Sequence, residues 1–306
     1  MIDRSQIQIP VLSPSEPTVF LFHGVTQLRS TGVRNYTGKH IEATIFQNFI
    51  RQWSEDGRPC TTEEIVSHRQ GEADLPPKSF AVTFDDGFQN NLTTAAPILR
   101  EFGIPATFFI CSGFLDSPRQ SWADSIEAAT EVTKKSAVSL DFLGINQYPL
   151  KSDSDRIRFV TRVRKELKNR VHLDPQQVQR TILAELEVHE PPIHEEFDRK
   201  LDAEEVKKLN SDSLFGIGGH THTHPILSRL SLEAQRRELD FSTEILSSII
   251  ETPLRYFAYP EGSASSYDAI SMQILEQSNY VAAFTTEDAT VRKNAGLFEI
   301  PRRQVA

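Results

Sequence analysis

The chain has 306 residues, long enough to bury about three quarters of its unfolded surface around one core, so folding alone requires neither a metal nor a disulfide staple. Its 33 Lys and Arg against 42 Asp and Glu leave a net charge of −9, which opposes sequence-independent attraction to nucleic-acid phosphates or an anionic membrane. Only two cysteines occur, Cys60 and Cys111, which excludes a disulfide framework or a multi-cysteine zinc module and leaves His and carboxylate as ligands for any metal.

Residues 1–17 mix Asp3, Arg4, Gln6, Gln8 and Glu16 with isolated apolar residues, a pattern without the apolar core or small-residue cleavage site of a signal peptide. No run approaches the roughly 18 apolar residues of a membrane span. A cytoplasmic protein with no transmembrane segment is expected. A buried strand is predicted at 18–22, then an amphipathic helix at 41–53 with apolar residues at 41, 45, 46, 49 and 50. A second strand at 80–84 precedes a short helix at 92–102, ended by Gly103 and Pro105, and a third strand at 107–110. From 117 to 196 strand signals give way to charged helical stretches at 155–169 and 175–188, broken by Pro191 and Pro192. This stretch reads as a helical insertion that either packs over one face of the fold or shapes a substrate cleft. A strand at 215–218 leads to a helix at 231–250, with Ser231 as N-cap and Leu232, Leu239, Leu246 and Ile249 on one face. Further strands are predicted at 255–258, 281–284 and 297–300. Strands alternating with helices imply a parallel sheet, open or closed into a barrel, with ligands beyond the carboxyl ends of the strands.

Two motifs stand at such ends. Phe80-Ala-Val-Thr-Phe-Asp-Asp-Gly87 is an apolar strand that stops in two carboxylates and a glycine. Adjacent strand residues face opposite ways, so Asp85 and Asp86 share a site only if the chain turns there, which Gly87 permits. The bland alternative is an Asx turn or a helix cap. The second motif, Gly216-Ile-Gly-Gly-His-Thr-His-Thr-His-Pro225, places three of the nine histidines within five residues. His220 and His224 have the spacing that puts two ligands on one face of a helical turn, while His222 points elsewhere. The helical zinc-protease motif needs a Glu after its first His, and Thr221 stands there. A carboxylate from the Asp pair would complete a metal site with an open position for water.

Thr83-Phe-Asp-Asp-Gly87, His220-Thr-His-Thr-His224 and Arg255-Tyr-Phe-Ala-Tyr-Pro-Glu-Gly262 resemble, in that order, the first three motifs of the polysaccharide deacetylase family, carbohydrate esterase family 4, with its NodB-homology domain. The similarity extends to Phe20-Leu-Phe-His-Gly-Val25, to Gly103-Ile-Pro-Ala-Thr-Phe-Phe109 and to Ile300-Pro-Arg-Arg303. The resemblance implies an α/β fold, a distorted (β/α) barrel of about seven strands related to the closed parallel barrel. One domain would span 1–306, with 117–196 as a helical insertion within it. It implies removal of an N-acetyl group from an amino sugar with one divalent metal held by Asp86, His220 and His224, and with Asp85 as general base. It further implies that Arg255 pairs with the base carboxylate and that the backbone N–H of Tyr259 serves the developing oxyanion. The family's late Leu-x-His motif has no counterpart, since no histidine follows His224. In members that begin with a His-Gly-Val segment the N-terminal histidine takes the acid role, which makes His23 the candidate general acid; the bland alternative is a strand-end cap.

Two histidines and a carboxylate suit zinc first, and also cobalt, nickel or iron. The expected substrate is an N-acylated sugar, either nucleotide-linked, lipid-linked or an oligosaccharide, as a precursor in surface polysaccharide or lipopolysaccharide biosynthesis. Arg302 or Arg303 is a candidate for binding a substrate carboxylate or phosphate, and Trp122 for stacking on a sugar. The rival readings are a deformylase of a formamido sugar and an inactive carbohydrate-binding protein on the same fold. The second is disfavoured by the presence of Asp85 beside the metal candidates.

Overall fold

The computed structural model describes residues 9–28, 32–116, 120–170 and 173–305. The first third holds β1 (Thr18–Phe22), β2 (Gly24–Thr26), β3 (His40–Glu42), α1 (Ala43–Asp56), β4 (Arg58–Pro59), α2 (Thr62–Gln70) and β5 (Ser79–Phe84). α1 buries Phe46, Phe49, Ile50 and Trp53 on its inner stripe. α2 starts at a capping box between Thr61 and Glu64 and stops at Gly71, whose φ of 83° suits glycine. A wide turn at Asn91–Ala95 then opens α3 (Ala96–Glu101), which is followed by β6 (Ala106–Ile110).

The expected insertion contains α4 (Trp122–Val132), β7 (Ala137–Leu140), β8 (Ile145–Pro149), α5 (Asp153–Asn169) and α6 (Pro175–Glu185). Ile126, Val138, Leu143, Phe159 and Ile182 belong to a second hydrophobic cluster, which Val33 from outside the stretch also joins. The antiparallel pair β7 and β8 corrects the expectation of a purely helical stretch. The pair is short, and Asn146 and Gln147 of β8 are exposed, so only a brief apolar alternation marked it. α7 (Ala203–Asn210), β9 (Phe215–Gly219), α8 (Leu232–Ile250), β10 (Tyr256–Ala258), α9 (Ala269–Gln277), β11 (Ala282–Phe284) and β12 (Arg303–Gln304) complete the chain. The Ser231 hydroxyl caps α8 by accepting from the Ala234 N–H. Among the described residues no helix is long and apolar enough to cross a membrane.

The main sheet runs β11-β10-β9-β6-β5-β1-β12, with β4 beside the start of β5. Every pairing in it is parallel, so the sheet is a curled barrel of seven strands, as expected. Its curl is closed by the C-terminal residues. The N–H of Ile300 donates to Ala283 and the Ile300 carbonyl accepts from Thr285, at 2.9 and 2.8 Å, while Arg303 pairs with Phe20 of β1. The predicted strand at 297–300 is therefore displaced. Pro301 has no N–H for a ladder, and it splits the segment into a bridge to β11 at Ile300 and a strand against β1.

β1, β5 and β6 are buried at every position, as expected of parallel strands covered on both faces. The outer face carries the aromatic ladder Phe22, Phe84 and Phe108, with centroids 5.5 and 5.1 Å apart, and Trp53 stacks on Phe20 at 3.9 Å. The opposite parity, Val19, Ala81, Phe109, Ala258 and Phe284, forms a separate inner cluster. Counting on from Ala81 by twos, that inward parity passes Thr83 and reaches Asp85.

Candidate active site

Asp85 follows β5, and its N–H still donates to the Phe22 carbonyl at 3.0 Å. The chain then turns sharply, with Asp86 at φ 73° and Gly87 at φ 68°. A Cβ on Gly87 would lie 3.0 Å from Ile110 Cγ2, so both space and backbone favour glycine there. This turn brings the two neighbouring carboxylates to one pocket, which resolves the parity problem posed by the strand.

Their partners differ. Asp85 receives two 2.7 Å hydrogen bonds from the guanidinium of Arg302, a side chain with no exposure. Arg302 is itself fixed by donation to the Thr285 carbonyl and the Thr83 hydroxyl, at 3.0 and 3.3 Å. Burial pushes the Asp85 carboxyl upward, but Arg302 and then His220 override it and hold the group below the ordinary carboxylate range.

Asp86 Oδ1 lies 3.5 Å from His220 Nε2 and 3.3 Å from His224 Nε2. The three donor atoms lie within 4.8 Å of one another. His220 Nδ1 stands 2.7 Å from the Ala258 carbonyl, so it carries a proton and directs Nε2 toward Asp86. Asp86 Oδ1 is buried without a hydrogen-bond partner, a costly state for a carboxylate oxygen that a cation between these three donors would relieve. The donor set thus fits a divalent ion. Burial again opposes ionisation of Asp86, yet Lys200, His224 and His220 keep it well below its ordinary value. Lys200 sits over the Phe88 ring, 3.2 Å from the centroid.

No helical turn links the two histidines. Residues 220–224 form a loop in which Thr221 and His224 have φ of 63° and 61°, and this left-handed path brings the rings to 5.0 Å. Glu238 of α8 clamps the loop by accepting from the N–H groups of His222 and Thr223, at 3.0 and 2.8 Å. His222 turns away to Ser112, 2.9 Å from Nδ1. His23, Asp85, Asp86, His220 and His224 all line one cavity of about 190 Å³. His23 Nδ1 is buried without a partner, and burial lowers its imidazole despite the charges of Asp86 and Asp85.

Arg255 and Tyr259 do not take their expected parts. Arg255 precedes β10, at the amino ends of the strands, and its guanidinium pairs with Glu63 of α2 at 2.5 Å. The Tyr259 N–H is occupied by the Phe284 carbonyl at 3.1 Å, because the residue continues the β10 ladder, and its ring is buried against Tyr267 at 4.1 Å. Arg302 holds Asp85 in place of Arg255, and it has no exposed surface for a substrate anion. Arg303 pairs with Asp288 at 2.7 Å. Trp122 is half-buried and lines the same cavity as the histidines. Lys39 and Lys200, which sequence reasoning missed, also line it; Lys39 pairs with Asp124.

A family model for polysaccharide deacetylase matches residues 72–283, and the chain belongs to that family. No curated protein matches it. Among solved structures, IcaB from Ammonifex degensii is similar over 96% of this chain and 93% of its own, with a TM-score of 0.61 and 17% identity. The deacetylase PplD of Streptococcus pyogenes, solved in complex with acetate, is similar over 95% and 93%, with a TM-score of 0.59 and 15% identity. A de-N-acetylase of Aggregatibacter actinomycetemcomitans is similar over 94% of each chain, with a TM-score of 0.58 and 14% identity. At these identities the likeness is one of fold, and it agrees with the curled parallel barrel.

The Arg302 contact generates a stability prediction. Arg302→Met leaves Asp85 buried without its cation, and the expected loss is about 3–5 kcal/mol at pH 7. With a depressed folded value, Asp85 stabilises the protein above its unfolded value of about 3.9, and this is lost as pH falls through the folded value. Without Arg302 burial raises the folded value, and ionisation then destabilises. Urea unfolding should therefore show a larger deficit at pH 7 than at pH 4; an equal deficit would contradict the pairing.

Proposed function

We propose that the protein is a metal-dependent carbohydrate N-deacetylase that removes the N-acetyl group of an amino sugar. The convergence of Asp85, Asp86, His23, His220 and His224 on one cavity carries this reading, and family membership supports it. Asp86, His220 and His224 would hold a divalent ion, zinc first by donor type. Such an ion, when bound, lowers the pKa of a water and polarises an acyl carbonyl.

The protein's own groups supply the proton transfers. Asp85, kept ionised and oriented by its two bonds to Arg302, accepts the proton of the attacking water. His23 delivers a proton to the departing nitrogen; burial lowers its value, which makes the imidazolium a stronger acid and also a less populated one. The stretch 117–196 acts as an insertion that shapes the cleft, contributing Ser121, Trp122, Arg164 and Lys168 to the cavity wall. Trp122 offers its ring to a sugar face.

Acetate release from N-acetylated amino sugars tests the reaction directly. Asp85→Asn is expected to reduce it by about 10²–10⁴-fold, and a chelator to abolish it. Full activity after complete metal removal, or in Asp85→Asn, would rule out the mechanism, and formate release in place of acetate would change the acyl group. The acid role has a separate readout. His23→Gln is expected to slow amide hydrolysis by about 10²–10⁴-fold while sparing p-nitrophenyl acetate, whose leaving group departs without a proton. Equal losses on both substrates would remove His23 from that role.

A further inference from the structure

We propose that the substrate carries an apolar chain on its aglycone and that this chain occupies a second chamber beside the acyl site; the inference rests on the deacetylase reading above. The chamber, about 360 Å³, shares Trp122, Lys168, His224 and Glu261 with the cavity that holds the two aspartates. One molecule can therefore fill both. Its walls form where the end of α5 and the start of α6 face α8 and the 225–230 turn, and they present Leu167, Pro175, Ile226, Leu230 and Phe241.

The two compartments differ in chemistry. The first offers Thr37, Lys39, Arg164 and Lys200, groups that hydrogen-bond to the hydroxyls of a sugar. The second sets Leu167, Pro175, Ile226, Leu230 and Phe241 among charged groups that include Asp174, Arg237 and Glu238, and its apolar side is the lining expected for an apolar ligand portion. Phe241 is 50% exposed, and among the described aromatic contacts its ring meets only that of His222, at 5.8 Å. An exposed phenylalanine facing leucine and isoleucine across an open chamber, continuous with a reaction site, is covered when an apolar chain enters.

The junction indicates which part of the substrate crosses it. Lys168 and Glu261 form an ion pair there at 2.6 Å. Methylene groups passing this pair would strip water from it and return no hydrogen bond. A glycosidic or phosphate oxygen accepts from Lys168 instead. The crossing therefore suits the linkage between sugar and aglycone, and does not suit an N-acyl chain whose carbonyl faces Asp86, His220 and His224.

Intrinsic fluorescence reads binding independently of turnover. Of the two tryptophans, Trp53 is 1% exposed in the core and Trp122 borders the chamber. The full chain is titrated with the methyl and hexyl glycosides of N-acetylglucosamine and with the methyl glycoside of N-hexanoylglucosamine, and acyl release from each is measured. The hexyl glycoside is expected to bind at least about tenfold more tightly than the methyl glycoside, as burial of a few methylenes allows. That ratio is expected to fall toward unity in Ala234→Phe, which fills the chamber, and in Phe241→Ser, an exposed position at which folding is not at stake. Equal binding of the two glycosides overturns the assignment. Preference for the hexanoyl amide overturns its attribution to the aglycone. Hexyl preference without acyl release from any probe supports the chamber and removes the deacetylase reading instead.

Discussion

The guanidinium of Arg302 meets the carboxylate of Asp85 through two parallel bonds, in a place where the arginine has no solvent at all. Closure of the barrel and the placement of this contact go together. Arg302 lies between Ile300, bridged to β11, and Arg303, paired with β1. The residues that close the sheet are thus the ones that carry the cation to β5. A bidentate arginine engages both oxygens of Asp85, which sets it apart from the candidate metal donors. Its neighbour Asp86 is left with an unpartnered oxygen facing two imidazoles. Two identical side chains, adjacent in sequence, acquire different characters through their partners alone.

Backbone strain is also present at this end, as it is at turns elsewhere in the chain. Asp86, Gly87, Thr221, His224, Glu261 and Gly262 all have left-handed φ, and four of the six are not glycine. Each such residue is a local cost of about 1–3 kcal/mol, sustained where the surroundings over-determine the path. Glu238 does so for the histidine loop, and the Phe22 carbonyl anchors the start of the aspartate turn through the Asp85 N–H. The sheet supplies stability at the strands, and the loops at their carboxyl ends take the irregular paths that bring Asp86, His220 and His224 together.

Much of this was legible before any coordinates. Continuous apolar runs identified β1, β5, β6 and β9 because strands buried on both faces need no polar alternation. Asp85, Asp86, His220 and His224 were recognisable by their types and by their places after strands. A motif resemblance does not report strand polarity: Arg255 stands before β10, and the site lies after it. Tyr259 misled because its amide is needed by the sheet. The spacing of His220 and His224 suggested a helical turn, but side-chain spacing does not report the left-handed residues that actually join them. Arg302 was singled out for the wrong partner, since a buried arginine and a substrate-binding one look alike until the barrel is closed. The capping boxes of α2 and α7 at Thr61 and Asp202 were readable signals that periodicity alone passed over.

The direct test of the central claim is to titrate zinc into the metal-free chain and to record the X-ray absorption of the bound ion. A single equivalent is expected, with imidazole nitrogens among ligands at about 2.0–2.1 Å, retained in Asp85→Asn and lost in Asp86→Asn. A bound ion without imidazole in its shell, or binding that survives Asp86→Asn and fails in Asp85→Asn, would contradict the division of labour between the two aspartates.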